Sequence, residues 1–209
     1  MLNFYGDIMK VLVACEFSQI VTQAFRKLGH DAYSCDILPT EGNSDYHIQT
    51  DVATILDQNW DLMIAHPSCQ YLANSGVRWL YNSDKTINQD RYTNMIDACY
   101  FFNTLLNAPI PHICIENPIM HKHAKNYIHI PYTQIIQPYQ FDEPYQKATC
   151  LWLKNLPPLI PSSNLTERKQ QVHLESPSPD RWKNRSRTYP GIATQMAIQW
   201  STYLTGKGL

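Results

Sequence analysis

The sequence predicts an α/β protein with a Rossmann-like, doubly wound sheet that is mostly parallel and ends in a C-terminal pair of antiparallel strands. Short apolar runs alternate with amphipathic helical patterns through most of the chain, which is typical of a parallel sheet covered by helices on both faces. An acid, Asp36, stands twenty-one residues after Cys15, the spacing of the ribose-binding acid in a nucleotide-binding βαβ unit. At 209 residues and 44% hydrophobic content, we expect a single domain over residues 1–209.

The first half of the chain supplies the predicted parallel strands. Residues 10–15 are a first apolar strand, and residues 18–28 carry apolar side chains at helical spacing. Residues 31–37 are a second strand that contains Asp36 near its end. A short helix follows Asp51, and the apolar run at residues 62–65 then predicts a buried central strand.

The second half adds a long helix, another strand and the expected antiparallel pair. The predicted elements, in order, are a helix at 87–106, a strand at 111–117, strands at 132–139 and 148–153, and a closing helix at 191–204. Between the antiparallel pair and the closing helix, residues 155–189 are rich in proline and basic residues, and they predict an extended loop within the domain.

Cysteine usage and hydropathy exclude several classes of protein. No apolar run approaches the ~18 residues that cross a bilayer, and the N-terminus lacks a signal peptide, so we expect a cytoplasmic protein without a membrane partner. The six cysteines form no Cys-x-x-Cys pair, which argues for reduced thiols and against a metal site. His121 and His123 lack a partner cysteine pair and are interpreted as surface residues.

Two strands end in chemically useful residues. Cys69 and Gln70 follow the buried strand at 62–65, and Glu116 and Asn117 end the next strand along the chain. Ligands of open α/β sheets bind beyond the carboxyl ends of the strands. We therefore expect a nucleophile and a carboxyl group to converge at one edge of the sheet.

Charge is distributed unevenly along the chain. Residues 1–146 hold 8 Lys or Arg against 15 Asp or Glu, whereas residues 147–209 hold 9 against 3, so the two parts carry −7 and +6. A basic cluster accounts for much of the second value; its members are Arg181, Lys183, Arg185 and Arg187, with Trp182 among them. A solvated basic loop is the simpler interpretation, and a nucleic-acid contact is the alternative.

These motifs resemble those of the cytosine-5 DNA methyltransferases, in a short form like those of bacteriophages. The segment from Pro67 to Gln70 is similar to the family's Pro-Cys-Gln nucleophile motif, and Glu116-Asn117-Pro118 is similar to its Glu-Asn-Val motif. Residues 185–187 resemble its Arg-x-Arg motif, and residues 188–193 resemble the late segment that returns to the cofactor pocket.

The resemblance implies a set of roles. S-adenosylmethionine would be the cofactor, and DNA, in single-stranded or mismatched form, would be the substrate, in the host cytoplasm if the chain is viral. The implied catalytic residues are Cys69, Glu116, Arg185 and Arg187. The implied cofactor-binding residues are Cys15, Glu16, Phe17, Ser18, Asp36, Ile37, Asp51, Val52, His66 and Pro67. The implied nucleic-acid-binding residues are Gln70, Asn117, Arg181, Trp182 and Lys183.

The chain also departs from the family. Residues 15–19 contain no glycine, Ser68 replaces a proline, and most of a target-recognition domain is absent, so a protein partner would have to supply target recognition. Two other functions stay open. One is an enzyme that modifies free pyrimidine nucleotides with the same Cys and Glu, and the other is a non-catalytic nucleic-acid-binding or decoy protein that kept the fold.

Overall fold

The computed structural model describes residues 8–163, 165–169, 176 and 178–206. These residues contain a seven-stranded mixed sheet. The strands are β1 (Lys10–Ala14), β2 (Asp31–Asp36), β3 (His47–Gln49), β4 (Leu62–Ala65), β5 (His112–Pro118), β6 (Gln134–Ile136) and β7 (Thr149–Lys154). The α-helices are α1 (Ile20–Lys27), α2 (Gln89–Leu106), α3 (Lys122–Lys125), α4 (Arg181–Ser186) and α5 (Pro190–Thr205).

The strand order is β3-β2-β1-β4-β5-β7-β6. Strands β1 to β5 are parallel, whereas β7 pairs antiparallel with both β5 and β6. The predicted fold class is therefore confirmed, including the antiparallel C-terminal pair. The chain moves outward from β1 to β3 and then crosses to β4 on the other side. This switch point lies between the ends of β1 and β4, where ligands bind in doubly wound sheets.

The central strands form because their residues are apolar on both faces. All four residues of β4 and all but the first residue of β1 are buried, as expected for strands covered on both sides. Side chains from α2 and α3 pack on one face, including Phe102 and Ala124. Side chains from α1 and α5 pack on the other face, including Phe25 and Trp200. The site therefore rests on a rigid, doubly covered sheet.

Three details differ from the sequence predictions. The short edge strand β3 was not predicted, because a three-residue strand carries too little pattern. Strand β6 is much shorter than the predicted 132–139. The basic end of the predicted loop at 155–189 contains α4, and residues 164, 170–175 and 177 of that loop lie outside the described residues. No described helix is both long and apolar enough to cross a membrane.

Candidate active site

The ends of β4 and β5 are tied together by two side-chain hydrogen bonds. Nδ1 of His66 lies 3.2 Å from Oε2 of Glu116, and Nδ2 of Asn117 donates to the Pro67 carbonyl at 2.8 Å. Asn117 is only 1% exposed, so its side chain supports the turn before Cys69 and does not face a nucleic acid. His66 and Pro67 likewise serve this connection between the strands.

Cys69 is an exposed residue in the turn after β4, unlike the buried Cys114 within β5. Desolvation by the surrounding protein raises the pKa of the Cys69 thiol, and the charge of Glu116 raises it further. Lys147 and Arg185 act in the opposite direction and lower this pKa. The thiol therefore lies within electrostatic range of one anion and two cations, in a turn that a substrate can reach.

Glu116 is a nearly buried carboxyl group that stays ionised. Its side chain is 14% exposed, and desolvation alone would raise its pKa. The hydrogen bond from His66 and the charge of Lys147 outweigh burial, and with a smaller contribution from Thr149 they lower the pKa of Glu116. At neutral pH the site thus holds a carboxylate beside a thiol.

Lys147 is a residue that the sequence analysis did not identify. Its ammonium group donates to the carbonyls of Arg185 at 3.1 Å and Arg187 at 3.4 Å, and its charge lowers the pKa of both Cys69 and Glu116. It lies two residues before β7, which runs antiparallel to β5. The start of β7 therefore reaches the same edge at which the parallel strands end.

The two arginines of the proposed Arg-x-Arg motif have different environments. Arg187 forms a bidentate ion pair with Glu41, with nitrogen to oxygen distances of 2.7 and 2.9 Å from Nη2, and it also contacts Asn184. The Arg185 guanidinium has no hydrogen bond to a described residue, yet its charge acts on Cys69. Arg185 is therefore the arginine that is available to a substrate, and Arg187 fixes the segment.

Basic residues and an exposed tryptophan occupy α4 beside the switch point. Trp182 is 52% exposed, and its ring centroid lies 6.0 Å from that of Phe17. Lys183 lies near the Trp182 ring and forms an ion pair with Asp180, and Arg181 begins the same helix. On the far side of the Cys69 turn, Gln70 is exposed and its carbonyl accepts a hydrogen bond from Arg91.

The end of β1 lies in an acidic environment. Cys15 adopts a left-handed backbone conformation, with φ of 58°, so the chain turns here without a glycine. Burial strongly raises the pKa of the Cys15 thiol, and the charges of Asp36 and Asp51 raise it further. Both predicted cofactor acids therefore lie close to Cys15, as a shared cofactor pocket requires.

Each of the two acids accepts a hydrogen bond from a backbone amide that follows it. Oδ1 of Asp36 accepts from the Leu38 amide at 2.9 Å, and Oδ1 of Asp51 accepts from the Ala53 amide at 3.0 Å. Ile37, beside Asp36, is 72% exposed and places an apolar side chain on the surface there. Val52 is buried in the core, so only its backbone is available to a ligand.

Glu16 has a structural role at the start of α1. Its carboxylate accepts from the amides of Val21 at 2.7 Å and Thr22 at 3.1 Å, and from the Thr22 hydroxyl at 2.7 Å. Glu16 therefore satisfies amide groups at the N-terminus of α1. Phe17 is 7% exposed, and its carbonyl accepts from Glu41 and Thr40.

The two clustered histidines are both hydrogen-bonded to other protein groups. His121 bonds the Tyr71 carbonyl at 2.9 Å and caps α3 through the Ala124 amide, whereas His123 bonds the Tyr81 hydroxyl. His121 is thus a buried structural residue and not the predicted surface residue. No group of three or more metal-ligating side chains occurs among the described residues.

Comparison with known proteins finds distant structural similarity. No protein-family model and no curated protein matches the chain. A structure described as a DNA modification methyltransferase encoded within a prophage of E. coli shares 14% identity, covers 69% of this chain and 46% of its own, and gives a TM-score of 0.42. A methyltransferase of Entamoeba histolytica shares 17% identity over 82% of this chain and 61% of its own, with a TM-score of 0.43. The chain therefore spans less than two thirds of either protein, and the likeness concerns the fold alone.

Proposed function

We propose that the protein is an S-adenosylmethionine-dependent methyltransferase that modifies carbon 5 of cytosine in DNA through Cys69. One observation carries this proposal: an exposed thiol and an ionised, nearly buried carboxyl group lie at the ends of neighbouring parallel strands, with Lys147 and Arg185 in electrostatic range. This combination is what conjugate addition to a pyrimidine ring requires.

The chemistry explains why a thiol and a carboxyl group act together. Carbon 5 of cytosine is a poor nucleophile until a nucleophile adds at carbon 6. The Cys69 thiol would first pass its proton to the Glu116 carboxylate. Sulfur would then bond to carbon 6 while ring nitrogen 3 takes that proton from Glu116, and the resulting enamine is nucleophilic at carbon 5. S-adenosylmethionine supplies the methyl group when it is bound. Loss of the carbon 5 proton to a base then allows the C–S bond to break and releases Cys69.

Lys147 and Arg185 would favour the reactive form of the thiol. The pKa of Cys69 is raised, so the free enzyme holds mostly the neutral thiol at neutral pH. The two cations stabilise the thiolate as it forms. Arg185, whose guanidinium is not bonded to a described residue, would also hold the base oxygen or a phosphate.

The end of β1 supports S-adenosylmethionine over a dinucleotide cofactor. A dinucleotide places its pyrophosphate at the N-terminus of the first helix. In this chain the Glu16 carboxylate occupies that position, and a second anion would be repelled. The acidic environment of Cys15, Asp36 and Asp51 suits a cationic sulfonium, and the partly exposed carboxylate of Asp36 suits the ribose hydroxyls.

DNA would be held by α4 and the turn after β4. Arg181, Lys183 and Arg185 provide charges for phosphates, and Trp182 provides an exposed ring for an unpaired base. Single-stranded or mismatched DNA would bind better than duplex DNA because less unstacking is needed. A protein partner would add sequence readout.

A fluorinated substrate tests the proposal directly. DNA that contains 5-fluorocytosine cannot lose its carbon 5 substituent, so it should stay covalently attached to the protein in the presence of S-adenosylmethionine. Denaturing electrophoresis and peptide mass spectrometry should place the adduct on Cys69. Cys69→Ala should abolish the adduct, whereas the matched control Cys114→Ala should retain it.

Two outcomes would favour one of the alternative functions instead. An adduct with free 5-fluorodeoxycytidine monophosphate but none with DNA would identify an enzyme of free nucleotides. Binding of DNA without any adduct, together with no calorimetric heat from S-adenosylmethionine at millimolar concentration, would identify a non-catalytic binding protein.

A further inference from the structure

A buried imidazole lies against Glu116, and the chemistry above does not use it. The His66 side chain is 8% exposed, and its Nδ1 lies 3.2 Å from Oε2 of Glu116. The second ring nitrogen, Nε2, is buried and has no hydrogen-bond partner among the described residues. Because buried polar atoms are nearly always paired, a histidine that only filled space would be a poor choice here. The contact with Glu116 is the polar interaction that orients the ring.

The direction of this hydrogen bond follows from the charge of its acceptor. An ionised carboxylate has no proton to donate, and the pKa of Glu116 is lowered despite burial. Nδ1 of His66 must therefore carry the proton and donate it to Oε2. Nδ1 carries this proton whether the imidazole is neutral or charged. Oε2 of Glu116 is thus engaged by His66 whereas Oε1 is not, and a side-chain hydrogen bond from Thr149 also acts on the carboxyl group.

We propose that His66 is a positioning residue for Glu116: by donating to Oε2, it reserves Oε1 for ring nitrogen 3 of the pyrimidine. This inference deepens the proposed function and rests on it, because the ring nitrogen is that of the methylation substrate. His66 comes three residues before Cys69, so the turn that carries the thiol also fixes the carboxyl group.

The proton transfer balances in this arrangement. Oε1 of Glu116 first takes the proton that the Cys69 thiol gives up, while Nδ1–H of His66 still donates to Oε2. As sulfur adds to carbon 6, the Oε1–H bond breaks, an N–H bond forms at ring nitrogen 3, and a carboxylate remains. That carboxylate is stabilised by the bond from His66 and by the charge of Lys147. When Cys69 is eliminated, the proton returns from ring nitrogen 3 to Oε1.

Titratable and charged groups from several elements surround this carboxyl group. Those in electrostatic contact with Glu116 are His66 after β4, Cys69 in the following turn, Cys114 in β5, Lys147 before β7 and Cys150 in β7. Burial raises the pKa of Cys114 and Cys150, so both are neutral near pH 7. His66 and Lys147, with a smaller contribution from Thr149, therefore keep Glu116 ionised.

Titration of Glu116 tests this role without any assay of methyl transfer. The chain has six glutamates, so carboxyl-labelled glutamate with a Glu116→Gln reference assigns the signal by ¹³C NMR. We expect the wild-type carboxyl group to titrate below the ordinary glutamate value. His66→Leu should move it above that value, because burial then dominates. His66→Asn, whose amide nitrogen lies near the position of Nδ1, should keep it low.

Adduct formation with 5-fluorocytosine DNA provides the second measurement. His66→Leu should slow it by about 100-fold, in the range of a misplaced general acid, and His66→Asn should restore most of the rate. His66→Gln, whose amide reaches further than Nδ1, serves as a folded polar control that should not restore it. Thermal unfolding establishes that each variant is folded.

The role of His66 and the proposed function are overturned by different results. If Glu116 titrates identically in wild type and His66→Leu, or if both form the adduct at the same rate, the role of His66 is overturned. If the wild-type protein forms no adduct while the titration of Glu116 responds to His66 as expected, the proposed function is overturned and the role of His66 in catalysis falls with it.

Discussion

Cys15 and Cys69 follow neighbouring parallel strands at the same edge of the sheet, yet their environments are opposite. Cys15 lies beside two acids, Asp36 and Asp51, which add to the effect of burial on its pKa. Cys69 lies beside one acid, Glu116, and two cations that offset it. The strand end places the thiol, and side chains from distant parts of the chain determine its reactivity. The end of β1 suits a cationic ligand, and the end of β4 suits nucleophilic chemistry.

Alkylation of the native protein should separate the two thiols by the largest factor. A thiol loses about tenfold in thiolate fraction for each unit by which its pKa rises above the ambient pH. Cys15 has a strongly raised pKa and Cys69 is exposed and near two cations, so we expect iodoacetamide to label Cys69 at least ~100-fold faster at pH 7.5. Peptide mass spectrometry over time provides the measurement. Equal rates would mean that the acids do not control Cys15.

Lys147→Met sharpens the same experiment. Removal of this charge should slow alkylation of Cys69 several-fold, up to about tenfold, because one pKa unit corresponds to a tenfold change in thiolate fraction. Labelling of Cys15 should not change. Lys154→Met, a substitution of a lysine in β7 that bonds the Ala108 carbonyl, is the matched control.

Asp36→Asn should separate ligand binding from stability. Loss of a charged hydrogen bond to the ribose should weaken binding of S-adenosylmethionine by about tenfold or more, measured by calorimetry. Burial raises the pKa of Asp36, so ionisation of this carboxyl group destabilises the folded state. The stability that the neutral carboxyl group gives at low pH is lost as pH rises through the folded-state pKa of Asp36. Asp36→Asn should therefore unfold at the same or a higher temperature than wild type at pH 7. A lower unfolding temperature with unchanged affinity would contradict both expectations.

Arg185→Ala, which changes a residue near Cys69, should have a smaller effect than Asp36→Asn. Its guanidinium acts on Cys69 and is available for a phosphate, so affinity for single-stranded DNA should fall by roughly threefold to tenfold, and the slope of log affinity against log salt should decrease by about one. Fluorescence anisotropy at two salt concentrations measures both quantities. Arg26→Ala, on α1, is the control. An unchanged salt slope would show that Arg185 does not contact DNA.

The ion pair between Arg187 and Glu41 should have the smallest effect. Its side chains are 33% and 38% exposed, and such surface pairs contribute at most about 1 kcal/mol. A double-mutant cycle with Arg187→Ala and Glu41→Ala, followed by urea unfolding, should give a coupling free energy below that value. A coupling several times larger would show that the pair holds the fold together and does more than position the segment before α5.

The sequence predicted the sheet well because its signals are local. Continuous apolar runs such as residues 62–65 form fully buried strands, and the helical spacing before residue 106 forms α2. Short elements were missed for the same reason: β3 has three residues and α4 has six, too few to show a period. Their positions depend on tertiary contacts such as the Phe17 ring against Trp182.

The site was predictable only in part. Cys69 and Glu116 were predicted because each comes after an apolar run, and the structure brings their elements together through His66 and Asn117. Lys147 carried no motif, since its relation to Cys69 depends on the antiparallel direction of β7. Glu16 offered a weak signal, an acid just before a helix, that sequence reasoning assigned to ligand binding although it caps α1.

The reversed direction of β7 also fixes when the site is completed during synthesis. Cys69 and Glu116 belong to the parallel part of the sheet, which can begin to form while the rest of the chain is still on the ribosome. Lys147 and Arg185 arrive only after β7 has paired with β5 and the basic segment has been made. A nascent chain would thus carry its thiol beside an anion and without the cations that favour the thiolate. The Cys69 thiol is therefore least reactive until the segment that carries Arg185 has been made.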